Sequence, residues 1–382
     1  MRILHTSDWH LGRAFHGVDM LPHQASYLDH LLEVVETEDV DVVVVAGDVY
    51  DRGLPPVDAV SLASETLGRL ARSRAQVVIS SGNHDSARRL GFASDLIAHA
   101  GIHLRTDAAR LQDPVVVEDD HGPVAIYGVP YLDPEVCKRA WDLPVRSHEA
   151  SLSEAMARVR ADVTSRSGAR SVVLAHAFVA GGQPSDSERD ISVGGVDRVP
   201  VTVFDGIDYV ALGHLHGQQT LRESVRYSGS PLAYSFSEAN HHKGSWLVDL
   251  GAAGVSCEFI AAPVPRRLAR LSGPLEELLA DAALTQHEDA WVHATLTDPA
   301  RPLNAMDRLR KRFPHALALN YLPDRTDSAD RPRREALSDH ELVLQFIEHA
   351  RGSRATDAET ELVADALAAC CDDTDADAAA SA

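Results

Sequence analysis

Apolar residues follow two alternating rhythms along the first third of the chain. Val40 to Ala46 and Val77 to Ile79 are continuous runs rich in β-branched residues, the pattern of strands buried on both faces. Between about His23 and Glu38, Leu28, Leu31, Leu32 and Val35 share one helical stripe, and a second helix is predicted from about Val57 to Ser73. Arg2 to Thr6 reads as the first strand. The resulting β-α-β-α-β order, with polar residues after every strand, predicts a layered α/β domain whose site lies along the carboxyl ends of the strands.

Further on, a helical piece near Phe92 to Ala100 precedes strands at Val115 to Glu118 and Val124 to Val129, which turn at His121-Gly122. A mixed segment contains a helix from about Ser151 to Arg166. Ser171 to Ala175 and Tyr209 to Leu212 are apolar strands, and Val225 to Tyr227, Ser245 to Leu250 and Val255 to Ile260 complete the sheet material. Gly181 to Arg198 is rich in Gly, Ser and Asp and reads as a long loop, a length at which function is commoner than idleness.

The character changes near Pro263. Strands at Arg267 to Leu271, Trp291 to Leu296 and Ala316 to Leu322 alternate with a helix opened by Gly273-Pro274 and another at Asn304 to Arg312, a small α/β unit. It carries basic clusters at Arg266, Arg267 and Arg270 and at Arg308, Arg310, Lys311 and Arg312. A solvated helix face and a phosphate-tracking surface both account for them. A polar linker follows, then Ser338-Asp339-His340-Glu341 as a capped helix start and a second helix from about Ala358 to Ala369. Two such helices cannot build a core and are expected to dock on a partner or on the main domain. The last residues are acidic, low in complexity and expected to be disordered.

The chain has 382 residues and a net charge of -21. That charge argues against coating nucleic acid by bulk electrostatics, but not against a local basic surface working with metal ions. No apolar run approaches a membrane span, and no leader precedes the first strand, so a cytosolic location is expected. Four cysteines, two of them adjacent at Cys370 and Cys371, supply neither a disulfide framework nor a zinc spacing.

The candidate chemistry sits at the strand ends: Asp8, His10, Asp48, Asn83, His84, His176, His214 and His216. In Asp8-Trp9-His10 the alternation of an extended segment would put both side chains on one side. Any one of these residues alone reads as a loop, turn or core position. Together they mix carboxylate, amide oxygen and imidazole, a donor set that suits manganese, iron or zinc. They are too many for one ion and fit two ions about 3.5–4 Å apart sharing a carboxylate.

The motifs D-x-H, G-D-x-x-D, G-N-H-D, a lone strand-end His and G-H-x-H, in this order, resemble the calcineurin-like metallophosphoesterase superfamily. The resemblance implies a four-layer αββα sandwich of two facing mixed sheets flanked by helices. It also implies one metal held by Asp8, His10, Asp48 and His216 and another by Asp48, Asn83, His176 and His214, with Asp48 as the bridge. His84 would be a catalytic non-ligand near the leaving group, oriented by Asp51. Ser7 to Arg13, Gly47 to Arg52, Ala211 to Gly217 and Tyr227 to Glu238 resemble, more narrowly, the SbcD family of DNA nuclease subunits. From that follow an expected nuclease domain over 1–262, a DNA-capping α/β domain over 263–323, a linker over 324–337, helices over 338–371 that grip the coiled coil of an SbcC-type SMC-like ATPase, and an acidic tail over 372–382. The implied function is hydrolysis of duplex ends and hairpins with manganese in DNA repair, as a homodimer within a heterotetramer at the nucleoid. The chain has no G-x-x-x-x-G-K-[ST] element, so ATP would be the partner's. Gly47 to Gly53 also resembles an element of serine/threonine phosphatases, which makes a phosphatase or small-molecule phosphodiesterase the alternative. A catalytically idle scaffold is the reading of a different class, and it would tolerate loss of His84 or His214.

Overall fold

The structure is a computed structural model that describes residues 1–191, 198–323 and 337–379, with side chains described as far as Ala369. Most of the expected linker, 324–336, part of the long loop, 192–197, and the last residues, 380–382, lie outside the described residues. The chain divides into two compact units, Met1–Pro265 and Arg266–Ala382.

The first unit is built on two six-stranded sheets. In the first, Arg2–Thr6, Val42–Ala46, Gln76–Ser80 and Ile102–Arg105 run parallel, and Gly244–Gly251 and Gly254–Ala261 extend the sheet antiparallel beyond Arg2–Thr6. In the second, Gly122–Val129, Arg170–His176, Tyr209–Gly213 and Val225–Tyr227 are parallel, with Val115–Asp119 and Gln219–Arg222 antiparallel at the two edges. Both sheets are therefore mixed.

The alternation within single strands shows how the layers assemble. Val42, Val44 and Ala46 pack with Val172, Leu174 and Tyr209 between the sheets, while Val43 and Val45 pack with Leu28, Leu31 and Ala63 of the helices Leu21–Thr37 and Val57–Leu70. Across the second sheet, Val173 and Ala175 pack against Leu152, Met156 and Val159 of the helix His148–Ser165. A strand covered on both faces needs apolar side chains at every position, which is why Val42–Ala46 reads as an unbroken run. The layers are helix, sheet, sheet, helix.

Several local readings differ from expectation. The helical piece predicted near Phe92 to Ala100 is present from Ser94, as the four-residue helix Ser94–Ile97 running into the 3-10 turn Ala98–Ala100, and Ala93, at φ +58°, separates it from an earlier short helix, Ala87–Leu90. Its continuation, Ile102–Arg105, is an edge strand that a two-by-two pattern too short to register did not reveal. The helix Pro134–Trp141, whose Asp133 side chain accepts from the N–H groups of Glu135 and Val136, went unpredicted although Asp-Pro is a readable start signal.

In the second unit the strands Leu268–Gly273, Trp291–Leu296 and Ala316–Tyr321 form a parallel sheet, with the helices Leu275–Ala280 and Ala305–Arg312 as crossovers over a core of Leu271, Leu278, Val292, Leu309 and Phe313. The helix Asp339–Arg351 starts with the reciprocal Ser338–Glu341 capping box and ends at Gly352, φ +78°. The second helix, Asp357–Ala379, runs past its expected end near Ala369 into the segment expected to be disordered.

Candidate metal centre

The parallel strands of both sheets deliver their following loops to one rim. Asp8 and His10 come after Arg2–Thr6, Asp48 after Val42–Ala46, Asn83 and His84 after Gln76–Ser80, His176 ends Arg170–His176, and His214 and His216 follow Tyr209–Gly213. Asp8, His10, Asp48, His176, His214 and His216 are buried, whereas Asn83, His84 and Asp51 are partly exposed.

The loops after the first two strands are zipped together. Asp8 N–H donates to the Gly47 carbonyl at 3.1 Å, His10 N–H to Asp48 at 3.0 Å and Leu11 N–H to Val49 at 2.9 Å. The D-x-H segment is not the extended strand expected. Asp8 has φ +53° and His10 φ +47°, Asp48 has φ +51°, and His214 has φ +104°. Left-handed backbone is uncommon outside glycine, Asp and His reach it more readily than most, and it clusters at functional sites where the surroundings over-determine it.

The motif glycines have a physical reason. A Cβ on Gly82 would fall on the Asp48 carboxylate, one on Gly47 on the His176 ring, and one on Gly213 on the Ala46 carbonyl. Asp85, the last residue of G-N-H-D, closes the assembly: its carboxylate accepts from Val49 N–H at 3.1 Å, Tyr50 N–H at 2.9 Å and Gly82 N–H at 2.9 Å, tying one strand-end loop to the next.

The ligand-type atoms converge in two groups. His10 Nε2 lies 3.0 Å from His216 Nε2, and Asp8 belongs to the same cluster. On the other side Asn83 Oδ1 lies 2.9 Å from His176 Nε2 and 3.2 Å from His214 Nδ1. One oxygen stands between the groups: Asp48 Oδ2 is 3.7 Å from His10 Nε2 and 3.4 Å from His176 Nε2. Asp48 Oδ1 accepts from His84 N–H at 2.8 Å, which leaves Oδ2 free to face both sides. The His84 ring stands 4.6 Å from the His10 ring, and His84 is close enough to Asp48 and His10 to be a third donor there. Asp51 holds His84 through its backbone carbonyl, 2.7 Å from Nδ1. Its carboxylate instead faces His10 Nδ1 at 3.8 Å and Arg13 Nε at 3.7 Å.

The electrostatics favour a cation at this rim. Burial pushes Asp48 up, but the His176, His10 and His84 imidazoles outweigh it and hold the carboxyl well below the usual range. Burial raises Asp8 to about 6, against the pull of His176 and His216, and burial with the nearby Asp48 charge raises Asp85 to about 7. Burial drives His10 and His214 well below the ordinary histidine value and lowers His84. His176 is the exception: against burial, the Asp48 carboxylate lifts it to about 9. His176 Nδ1 faces the Ala46 carbonyl at 2.9 Å and must donate to it, so Nε2 bears either a proton or a lone pair aimed at two oxygens. A divalent cation can take that proton's place. His10 Nε2 facing His216 Nε2, and Asn83 Oδ1 facing two imidazole nitrogens, set lone pairs against lone pairs in a buried site, a donor set shaped for a metal. The residues fit two divalent ions.

Sequence reasoning assigned no role to the residues behind this set. Ser187 and Glu188 of the long loop, Glu238 at the end of the Tyr227 to Glu238 segment, and Lys243 beyond it surround His216. Glu188 Oε1 accepts from His216 N–H at 2.8 Å. The two-residue spacing of acceptors after a strand is local and readable, whereas these contacts join segments far apart in the chain.

The chain belongs to the calcineurin-like phosphoesterase family, whose model matches residues 1–218. Members are metal-dependent phosphoester hydrolases with a dinuclear metal centre. A second match, to the SbcD C-terminal domain, described as the type 5 capsule protein repressor C-terminal domain, covers residues 264–351, and the two together fit SbcD, a metallophosphoesterase nuclease subunit. Similar solved structures include a dimetal phosphatase from Danio rerio, 14% identical over 69% of this chain and 99% of its own with a TM-score of 0.42. An archaeal phosphodiesterase is 12% identical over 68% and 100%, TM-score 0.30. GAP50, the anchor in the inner membrane complex of Plasmodium, is 11% identical over 85% and 98%, TM-score 0.40. No helix among the described residues is long and apolar enough to cross a membrane.

Proposed function

We propose that the chain is a manganese-dependent DNA nuclease subunit that hydrolyses phosphodiester bonds at duplex ends and hairpins, acting with an SbcC-type SMC-like ATPase. The observation that carries the reading is the joint occurrence, in one chain, of a two-group metal site and the 264–351 match. Asp8, His10, Asp48 and His216 would hold one ion and Asp48, Asn83, His176 and His214 the other. Such ions supply charge neutralisation on the phosphodiester and an acidified water.

The chain's own residues do the rest. Asp48 presents one oxygen to both positions, and the three N–H bonds to Asp85 keep its loop from shifting. His84, with Nδ1–H on the Asp51 carbonyl, has Nε2 as the atom that exchanges a proton with the departing sugar oxygen. The basic residues of the second unit are consistent with a phosphate-tracking surface. Arg266, Arg308 and Arg312 are paired with Asp289, Glu276 and Glu288, but among the described residues Arg267, Arg270 and Lys311 have no acidic partner. The helices after Leu337 expose Leu342, Phe346 and Leu362, apolar side chains suited to a partner's coiled coil.

The test is cleavage of a linear and a hairpin-ended duplex with manganese, beside His84→Ala, with and without the ATPase. Manganese- and His84-dependent cleavage that gains ATP dependence with the partner is expected. Intact DNA alongside hydrolysis of a small phosphodiester or a phosphoprotein would replace this reading with the phosphatase one.

A further inference from the structure

Two stretches that stand out in the sequence, the Gly/Ser/Asp-rich loop and the segment running to Glu238, meet behind His216. Ser187 Oγ lies 2.5 Å from His216 Nδ1 and 2.5 Å from Glu238 Oε1. Glu238 is 1% exposed, and its other oxygen is paired with Lys243 Nζ. That ammonium also donates to the His216 carbonyl at 2.8 Å and to Ser230 Oγ at 3.0 Å. With Glu188 on its N–H, His216 is fixed at its amide, its carbonyl and its ring.

The hydroxyl at the centre decides the state of the ring. Ser187 has one proton to give, and an ionised carboxylate can only accept, so the proton goes to Glu238. Only lone pairs remain for His216, and Nδ1 must therefore carry the ring hydrogen. Nε2 is left bare, and Nε2 is the atom that faces His10.

We propose that Glu238 and Ser187 are positioning residues that hold His216 in its Nδ1–H form, so that Nε2 is presented as a ligand to the ion it shares with His10; this rests on the two-metal reading above. A partner on the far nitrogen of a ligating histidine fixes its tautomer and orientation, and its loss typically costs about 10–100-fold in metal affinity. The competing account is that Glu238 and Lys243 are a buried ion pair that merely holds two loops together. Ser187→Ala separates the two accounts, because it removes the acceptor of Nδ1–H and leaves the ion pair in place.

The experiment titrates the full chain with manganese alone, in wild type, Ser187→Ala, Ser187→Thr and Glu238→Gln, reading stoichiometry by metal analysis and affinity by calorimetry. The ring nitrogen shifts of His216 are recorded by NMR in the metal-free wild type, and melting temperatures serve as the folding control. Expected are two ions and a bare Nε2 in wild type, with one of the two sites weakened about 10–100-fold in Ser187→Ala and Glu238→Gln. The other site and the metal-free melting temperature of Ser187→Ala should stay as they were, and Ser187→Thr should restore affinity. Wild-type affinity at both sites in Ser187→Ala and Glu238→Gln, or a hydrogen on Nε2 of His216 in the wild type, overturns the inference alone. A wild type that takes up no ion overturns the two-metal reading and this inference with it.

Discussion

The ring of His84 is held by the backbone carbonyl of Asp51, 2.7 Å from Nδ1, while the Asp51 carboxylate faces His10 and Arg13 instead. An arrangement in which the peptide does the holding separates the two residues' roles. His84→Ala should keep its full complement of metal and lose about 10²–10⁴-fold in turnover, the usual worth of a positioned acid or base. Metal analysis of the purified variant checks this, and loss of an ion would make His84 a ligand.

Asp51→Asn keeps the carbonyl and should cost far less turnover than His84→Ala. Equal losses in steady-state kinetics would mean that the carboxylate, and not the peptide, carries the effect.

Asp48 Oδ2 stands between the two ligand groups. Asp48→Ala should therefore weaken both ions together, seen in calorimetric titration as loss of both binding events. One event surviving at undiminished affinity contradicts a shared oxygen.

Gly82 has no room for a side chain beside Asp48. Gly82→Ala should displace the carboxylate, lowering metal affinity at both sites and destabilising the chain by about 1–3 kcal/mol, the usual cost of overpacking. Urea unfolding with and without metal measures both effects, and an unchanged metal titration would show that the loop can yield without moving Asp48.

His5 is buried between the sheets, with Nδ1 2.9 Å from Tyr209 OH and Nε2 3.2 Å from the Leu212 carbonyl. Burial pulls its pKa from 6.5 to about 3. The folded value lies below the unfolded one, so its contribution is complete above about pH 6.5 and is lost as pH falls toward 3. The full loss would be up to about 5 kcal/mol. The stability of His5→Gln should fall less steeply between pH 6 and pH 4 than that of the wild type, by up to about 1.4 kcal/mol per pH unit; parallel curves would remove His5 from the acid response.

The helix and strand rhythm around Val42–Ala46 was legible because a strand buried on both faces must be apolar throughout, and the polar residues that follow each strand are adjacent to it in sequence. The rim could be anticipated for the same reason. What could not be read is what depends on meeting in space. The extended geometry expected of Asp8-Trp9-His10 gave way to left-handed backbone, since the pairing of that loop with Gly47 to Val49 dictates its course. Ser187 and Glu238, 51 positions apart, carry no mutual signal in sequence. The strand Ile102–Arg105 was lost to the helical look of the residues before it, which Ala93 interrupts by a local conformation that composition does not announce.

Four of the residues that line the rim sit at positive φ, a conformation that Asp and His reach more readily than most side chains but that still needs surroundings to hold it. The sandwich beneath is what holds that loop backbone in place, so the rim is where a loosening of the two sheets is felt first. A cavity opened between the sheets, as by Val172→Ala, should accordingly degrade metal affinity at denaturant concentrations where the sheets themselves are still intact.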